Sequence, residues 1–269
     1  MHQTLLAILL SLGVTASLIA APTTITVPAG AFAMGCSKGD PDCEKDEGPA
    51  GGVSVYVPVF RIDAYEVSVS DYDACLDAGK CTRPKDHQRN PYCNFGAADR
   101  ADHPVNCVDW NQALAYCQWK DGRLPYEAEW EKAARAGSTS RFPWGQSVSC
   151  QNAILDDGKT TGSAKGEHDG CGEDHTWPRG SRPANALGLY DMHGNAGEWT
   201  MNWYAPDAIA VLYATGKLNG PIEGKRKVVR GGSWDENGTN LRSSFRNVKP
   251  PVSGEAVYGS IGFRCAYEP

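Results

Sequence analysis

Ten cysteines, none of them before Cys36, constrain this 269-residue chain more than any other feature. So many thiols are foreign to a reduced cytosolic protein and expected in an oxidising compartment. Short separations suggest local bonds for Cys36–Cys43, Cys75–Cys81, Cys93–Cys107 and Cys150–Cys171, with Cys117 and Cys265 left over. Ten cysteines admit roughly 900 pairings, so spacing alone does not decide between them. The rival use of the thiols, a zinc site, lacks any Cys-x2-Cys pair.

The N-terminus points to the same compartment. Residues 1–21 are apolar from Leu5 onward and carry no acidic or basic side chain other than His2. An apolar stretch followed by small residues reads as a secretory signal peptide, with cleavage near Ala16 or Ala21. Its length also suits a membrane anchor, but no later segment is apolar enough to span a bilayer. The protein is therefore expected to be secreted or periplasmic, with residues 22–269 as one domain. Twenty-six basic and 32 acidic residues give a net charge of −6, which excludes nucleic-acid binding through a basic face.

Thirty glycines and 17 prolines forecast a loop-rich chain. Alternating valines predict a strand over Val53–Phe60. Ser70 is expected to cap a short helix ending at Gly79, and Asp109 a second helix ending near Gly122. A third helix follows Pro125 and stops at Gly137. From about 138 to 269, turn signals outnumber periodic stretches. The expectation is an α+β fold with little regular secondary structure.

A series of blocks then carries a resemblance. Val27–Gly35, Ile62–Val67, His103–Trp110, Gly122–Arg135, Phe142–Gly145, Gly188–Trp199, Arg230–Trp234 and Gly262–Cys265 are similar, in order, to the blocks of the formylglycine-generating enzyme, or sulfatase-modifying factor, family. That resemblance implies a variant of the C-type-lectin fold. It also implies a bond between the cysteines of Ala115-Tyr116-Cys117 and Gly262-Phe263-Arg264-Cys265, the pair that local pairing leaves over.

The same resemblance implies what this chain lacks. Active members oxidise a sulfatase cysteine, within Cys-x-Pro-x-Arg, using two copper-binding cysteines shortly after Gly-Gly-Ser. Thiolates suit Cu(I). Here Gly231-Gly232-Ser233-Trp234-Asp235 is followed by Glu236 at the first cysteine position, and no cysteine lies between Cys171 and Cys265. Copper chemistry is not expected. Calcium is the expected structural ion, because hard oxygen ligands on an irregular loop suit it. The family's second calcium site maps onto Asp191, Gly194, Ala196 and Glu198, and half of its first site onto Asn152 and Ala153. The acidic run Asp156, Asp157, Glu167, Asp169, Glu173 and Asp174 reads equally well as a solvated loop. The six histidines, His2, His87, His103, His168, His175 and His193, form no His-x3-His pair, and the separate helical domain that carries iron in some relatives is missing.

Ser233, Trp234, Glu236, Arg242 and Arg246 are the candidate groove residues: Glu236 as an acid-base group, the arginines as anion anchors or as salt-bridging residues. Three functions stay open. One is a pseudoenzyme, presumed monomeric, that binds an unidentified peptide, protein or glycan, or serves an exported complex. Another is a non-copper oxidoreductase or modifying enzyme acting on a peptide or siderophore precursor. The third is the formylglycine-generating activity the family name suggests.

Overall fold

The computed structural model describes residues 23–84, 90–158, 170–252 and 258–269. The leader, His87, His168, Glu167 and Asp169 lie outside the described residues. Among the described residues nine strands run β1 (Thr24–Val27), β2 (Gly30–Met34), β3 (Val53–Val57), β4 (Phe60–Asp63), β5 (Gly197–Trp203), β6 (Lys227–Arg230), β7 (Asn247–Lys249), β8 (Ile261–Gly262) and β9 (Ala266–Tyr267). Four α-helices interleave among the same residues: α1 (Val69–Asp77), α2 (Trp110–Trp119), α3 (Glu127–Arg135) and α4 (Ala208–Val211).

The strands form three small sheets, ordered β1-β4-β9, β2-β3 and β7-β6-β5-β8. The strand expected over Val53–Phe60 is two strands. Pro58 has no N–H to donate to a ladder, so the chain breaks there. β3 pairs with β2, β4 pairs with β1 and β9, and Val59 is 38% exposed at the break.

The helix signals are local and largely hold. Asp109 accepts from Gln112 N at 2.9 Å, and Gln112 Oε1 accepts from Asp109 N at 3.0 Å, a capping box. The first helix is capped two residues earlier than expected. Ser68, not Ser70, accepts from Asp71 N, and the Asp71 side chain returns the bond to Ser68 N. α3 follows Pro125 as expected but ends on Ala136, which is left-handed at φ 47°, one residue ahead of Gly137.

All ten cysteines are paired, in the expected bonds: Cys36–Cys43, Cys75–Cys81, Cys93–Cys107, Cys117–Cys265 and Cys150–Cys171. The longest ties α2 to the turn before β9. Around it, Tyr72, Tyr116, Trp199 and Phe263 fill one core, while Trp130, Phe60, Ile62 and Ile209 fill a second beneath β1–β4. A third, smaller core gathers Phe142, Ala153, Leu155 and Leu241.

Candidate functional site

The Gly231–Glu236 segment leaves β6 through two left-handed glycines, at φ 95° and 67°. A Cβ on Gly232 would lie 2.6 Å from Leu241 Cδ1 and 2.8 Å from Asn240 O, so the turn requires glycine there. Ser233 then spends its hydroxyl on Asp235 Oδ1 at 2.6 Å, and its carbonyl accepts from Glu236 N. Trp234 is buried, its indole N–H near Gly259 O at 3.4 Å and its ring against Tyr92 at 5.4 Å.

Glu236 is the chemically distinctive member. Asn247, on β7, donates to its Oε1 at 3.0 Å, while its Oε2 is buried without a partner among the described residues. Burial, then repulsion from Asp235, raises its pKa from 4.5 to about 7, against the pull of Lys249 and the Asn247 bond. An acid that titrates near neutrality holds or releases a proton at physiological pH.

Arg242 and Arg246 do not join it in a groove. Both are buried. Arg242 makes a two-pronged pair with Glu47, at 2.7 Å on each arm, and also meets Asp40. Arg246 grips Glu127 through Nε at 2.7 Å and Nη2 at 2.9 Å. Their donors serve core carboxylates, the salt-bridging use, so they are not anchors for an incoming anion. Burial alone would raise the pKa of Glu127, but Arg246 and Arg230 outweigh it and hold the carboxyl below its ordinary value.

The residues expected to hold calcium lie in and around the turn that enters β5. Glu198 is buried. Its Oε1 accepts from Arg264 Nε and Nη2 at 2.9 and 2.7 Å. Its Oε2 accepts from Arg264 Nε at 2.8 Å and Trp130 Nε1 at 2.8 Å. Three N–H groups thus engage the carboxylate, Arg264 Nε being shared between its two oxygens, and the Arg264 guanidinium supplies the positive charge beside it. Glu66 adds a third acid, accepting from Ala196 N and Asn195 Nδ2 at 2.9 and 2.8 Å. Burial, then Asp191 and Glu198, push its pKa well above the ordinary value. Asp191 accepts from Gly180 N at 2.5 Å, and burial raises its pKa to about 6. Asn152 accepts from Ser149 Oγ at 3.3 Å, and the Ala153 carbonyl lies 3.5 Å from Cys171 Sγ. Asn152 and Asp191 share one cleft, together with His193. Among the described residues no cluster of three or more His, Cys, Asp or Glu side chains is arranged to hold a metal.

Sequence reasoning missed Glu66, Trp130 and Arg264 as a single buried constellation. The only signal was a charged residue set between apolar neighbours, in Tyr65-Glu66-Val67 and again in Phe263-Arg264-Cys265.

The sulfatase-modifying factor enzyme 1-like domain model matches residues 14–269. The chain belongs to this family. It is 31% identical over 288 residues to the formylglycine-generating enzyme of Mus musculus, covering 90% of this chain and 74% of that one. It is 28% identical to the inactive C-alpha-formylglycine-generating enzyme 2 of Mus musculus, covering 91% and 85%. Among solved structures it resembles PvdO from Pseudomonas aeruginosa at a TM-score of 0.71 and 29% identity, covering 91% of this chain and 94% of that one. The loop-rich α+β architecture is thus the sulfatase-modifying-factor variant of the C-type-lectin fold.

Proposed function

We propose that this chain is an exported member of the sulfatase-modifying factor family that does not make formylglycine with copper and serves the cell envelope as a binding or accessory protein. One observation carries the reading. No cysteine lies between Gly232 and Cys265, and all ten cysteines are already joined in disulfides; the family resemblance sets Glu236 where the copper chemistry needs a thiolate. A hard carboxylate does not replace soft sulfur as a Cu(I) ligand. The existence of a relative named as inactive is in keeping with this. Five disulfides and an apolar leader support export. Among the described residues no helix is long and apolar enough to cross a membrane.

The unpartnered Oε2 of Glu236 favours a second reading, a non-copper modifying enzyme that uses this carboxyl as an acid or base. Two measurements separate the readings. Purified protein is given copper, oxygen and a Cys-x-Pro-x-Arg peptide, and the peptide is followed by mass spectrometry; conversion of the thiol to an aldehyde would overturn the proposal. Glu236→Gln is then compared with wild type in the native host. Loss of the phenotype with an undiminished melting temperature supports the enzyme reading, and retention supports the binding reading.

A further inference from the structure

A cavity of about 470 Å³ opens between β4, β9 and the C-terminal end of α2, and shares no lining residue with the Gly231–Glu236 segment. That volume falls within the range of roughly 300–1,000 Å³ typical of small-ligand sites. Arg61 and Asp63, two apart on β4, share one face of the strand. Tyr116 and Lys120, four apart at the end of α2, share one side of the helix.

One end of the cavity is acidic. Asp63 Oδ1 accepts from the Tyr267 hydroxyl and Oδ2 from Cys265 N, both at 3.0 Å. Neither donor is a cation, and Arg264 donates to the backbone carbonyl of Asp63 at 3.1 Å, not to its carboxyl. Burial lifts this carboxyl to about 6, as expected of a desolvated acid with no counter-ion in contact. The nearby Asp71 gives Oδ2 to Arg179 and Ser68 and keeps Oδ1 unengaged among the described residues.

The Tyr116 hydroxyl belongs to the same end. Tyr116 is 5% exposed, and its hydroxyl makes no hydrogen bond among the described residues. The charges that bear on it, Asp71, Asp63 and Arg179, all line the cavity, so the hydroxyl faces into it. Burial, then the two acids, keep it protonated. A hydroxyl on a buried side chain needs a partner, and here the contents of the cavity must supply it.

The other end is basic. Arg61 donates Nε to Glu268 O at 3.1 Å and has no carboxylate partner among the described residues. Lys120 lies 5.5 Å from the Trp119 ring and likewise lacks one. Neither cation is among the main charges bearing on Asp63 or Tyr116, which sets them apart from the acids. An anion alone would meet Asp63 and Asp71, and a cation alone would meet Arg61 and Lys120. A neutral ligand would leave Asp63 without a counter-ion. A ligand with separated charges of both signs satisfies both ends.

We propose that this cavity binds a small zwitterion, an amino acid or short peptide with free ends, its ammonium against Asp63, Asp71 and the Tyr116 hydroxyl and its carboxylate against Arg61 and Lys120. Nothing in this rests on Glu236, so the proposal and the reading of that segment fail separately.

The test is isothermal titration calorimetry of the purified protein with tyrosine, trialanine, N-acetyl-trialanine and trialanine amide. Trialanine or tyrosine should bind, and the tighter of the two tells a peptide from a free amino acid. Acetylation and amidation of trialanine should each weaken binding at least tenfold, the loss of a charged hydrogen bond. Tyr116→Phe should weaken it about fivefold. Lys120→Ala should weaken trialanine about threefold and leave the amide unchanged. Melting curves check that Tyr116→Phe folds; Lys120 is exposed, so Lys120→Ala decides if it does not. Silence from all four probes, a capped peptide that binds as tightly as the free one, or affinity that survives both substitutions would each overturn the proposal.

Discussion

Replacing Glu236 by Gln should stabilise the protein at alkaline pH and leave it unchanged in acid. The carboxyl titrates at about 7 in the fold against an ordinary 4.5, a difference equivalent to about 3 kcal/mol at 1.36 kcal/mol per unit. Solvent relaxation around the site makes this an upper bound. The sign follows from linkage. A raised pKa means that the folded state binds the proton more tightly, so the contribution is fully present below pH 4.5 and is lost as the pH rises through about 7. Glutamine keeps the carbonyl that accepts from Asn247 and cannot ionise. Thermal unfolding followed by circular dichroism at pH 4.5 and pH 8 is the assay. The two proteins should melt together in acid. At pH 8 the variant should melt higher by up to about 6–12 °C, taking 2–4 °C per kcal/mol for a domain of this size. Asp63 and Asp191, both raised to about 6 by burial, shift both proteins alike; the difference between the curves isolates residue 236. A variant less stable than wild type at pH 8, or a gap independent of pH, would refute the reasoning.

Three further outcomes are expected. Intact mass with and without reduction should show five disulfides and no alkylatable thiol in the denatured, unreduced protein, and opening Cys117–Cys265 by paired serines should cost up to about 5 kcal/mol in the chain-entropy account, because the bond closes 148 residues. Arg264→Met should lower the melting temperature by a loss on the order of 3–5 kcal/mol, since Glu198 would be left buried without its partner. Melting curves in chelator and in millimolar Ca²⁺ should coincide, because Arg264 and Trp130 already engage both oxygens of Glu198; a lower melting temperature in chelator would show that the Glu198–Arg264 pair opens to admit an ion.

What the sequence made legible was local or carried by the family blocks. Asp109 caps its helix because the box with Gln112 is complete within four residues. The cysteine bonds followed from short loops and one family pairing. The break at Pro58 was equally local, but the run of valines masked it. The long-range polar pairs were not legible, because nothing in Glu127-Ala128-Glu129-Trp130-Glu131 says which acids face inward. The structure buries Glu127 and Glu131 against Arg230, at 3.1 and 2.5 Å, while Glu129 turns back to Arg123. Arg242 and Arg246 read equally as anchors or as core pairs for the same reason: their carboxylates lie 195 and 119 positions away.

These pairs show how a chain with so few ladder bonds fixes its loops. Arginines from the last 40 residues, Arg230, Arg242, Arg246 and Arg264, reach back to Glu127, Glu131, Glu47 and Glu198, tying the C-terminal turns to earlier segments of the chain. Buried pairs of this kind add little net stability, yet losing one partner is severe, so they specify geometry more than they stabilise it. The five disulfides reinforce the same frame, and none includes a residue of the Gly231–Glu236 segment. Residue 236 therefore lies outside the frame: its side chain makes one bond, to Asn247, and leaves an oxygen unmatched. A fold braced in this way does not depend on the side chain at that position. The chemistry of the site is thus free to change while the architecture around it stays fixed.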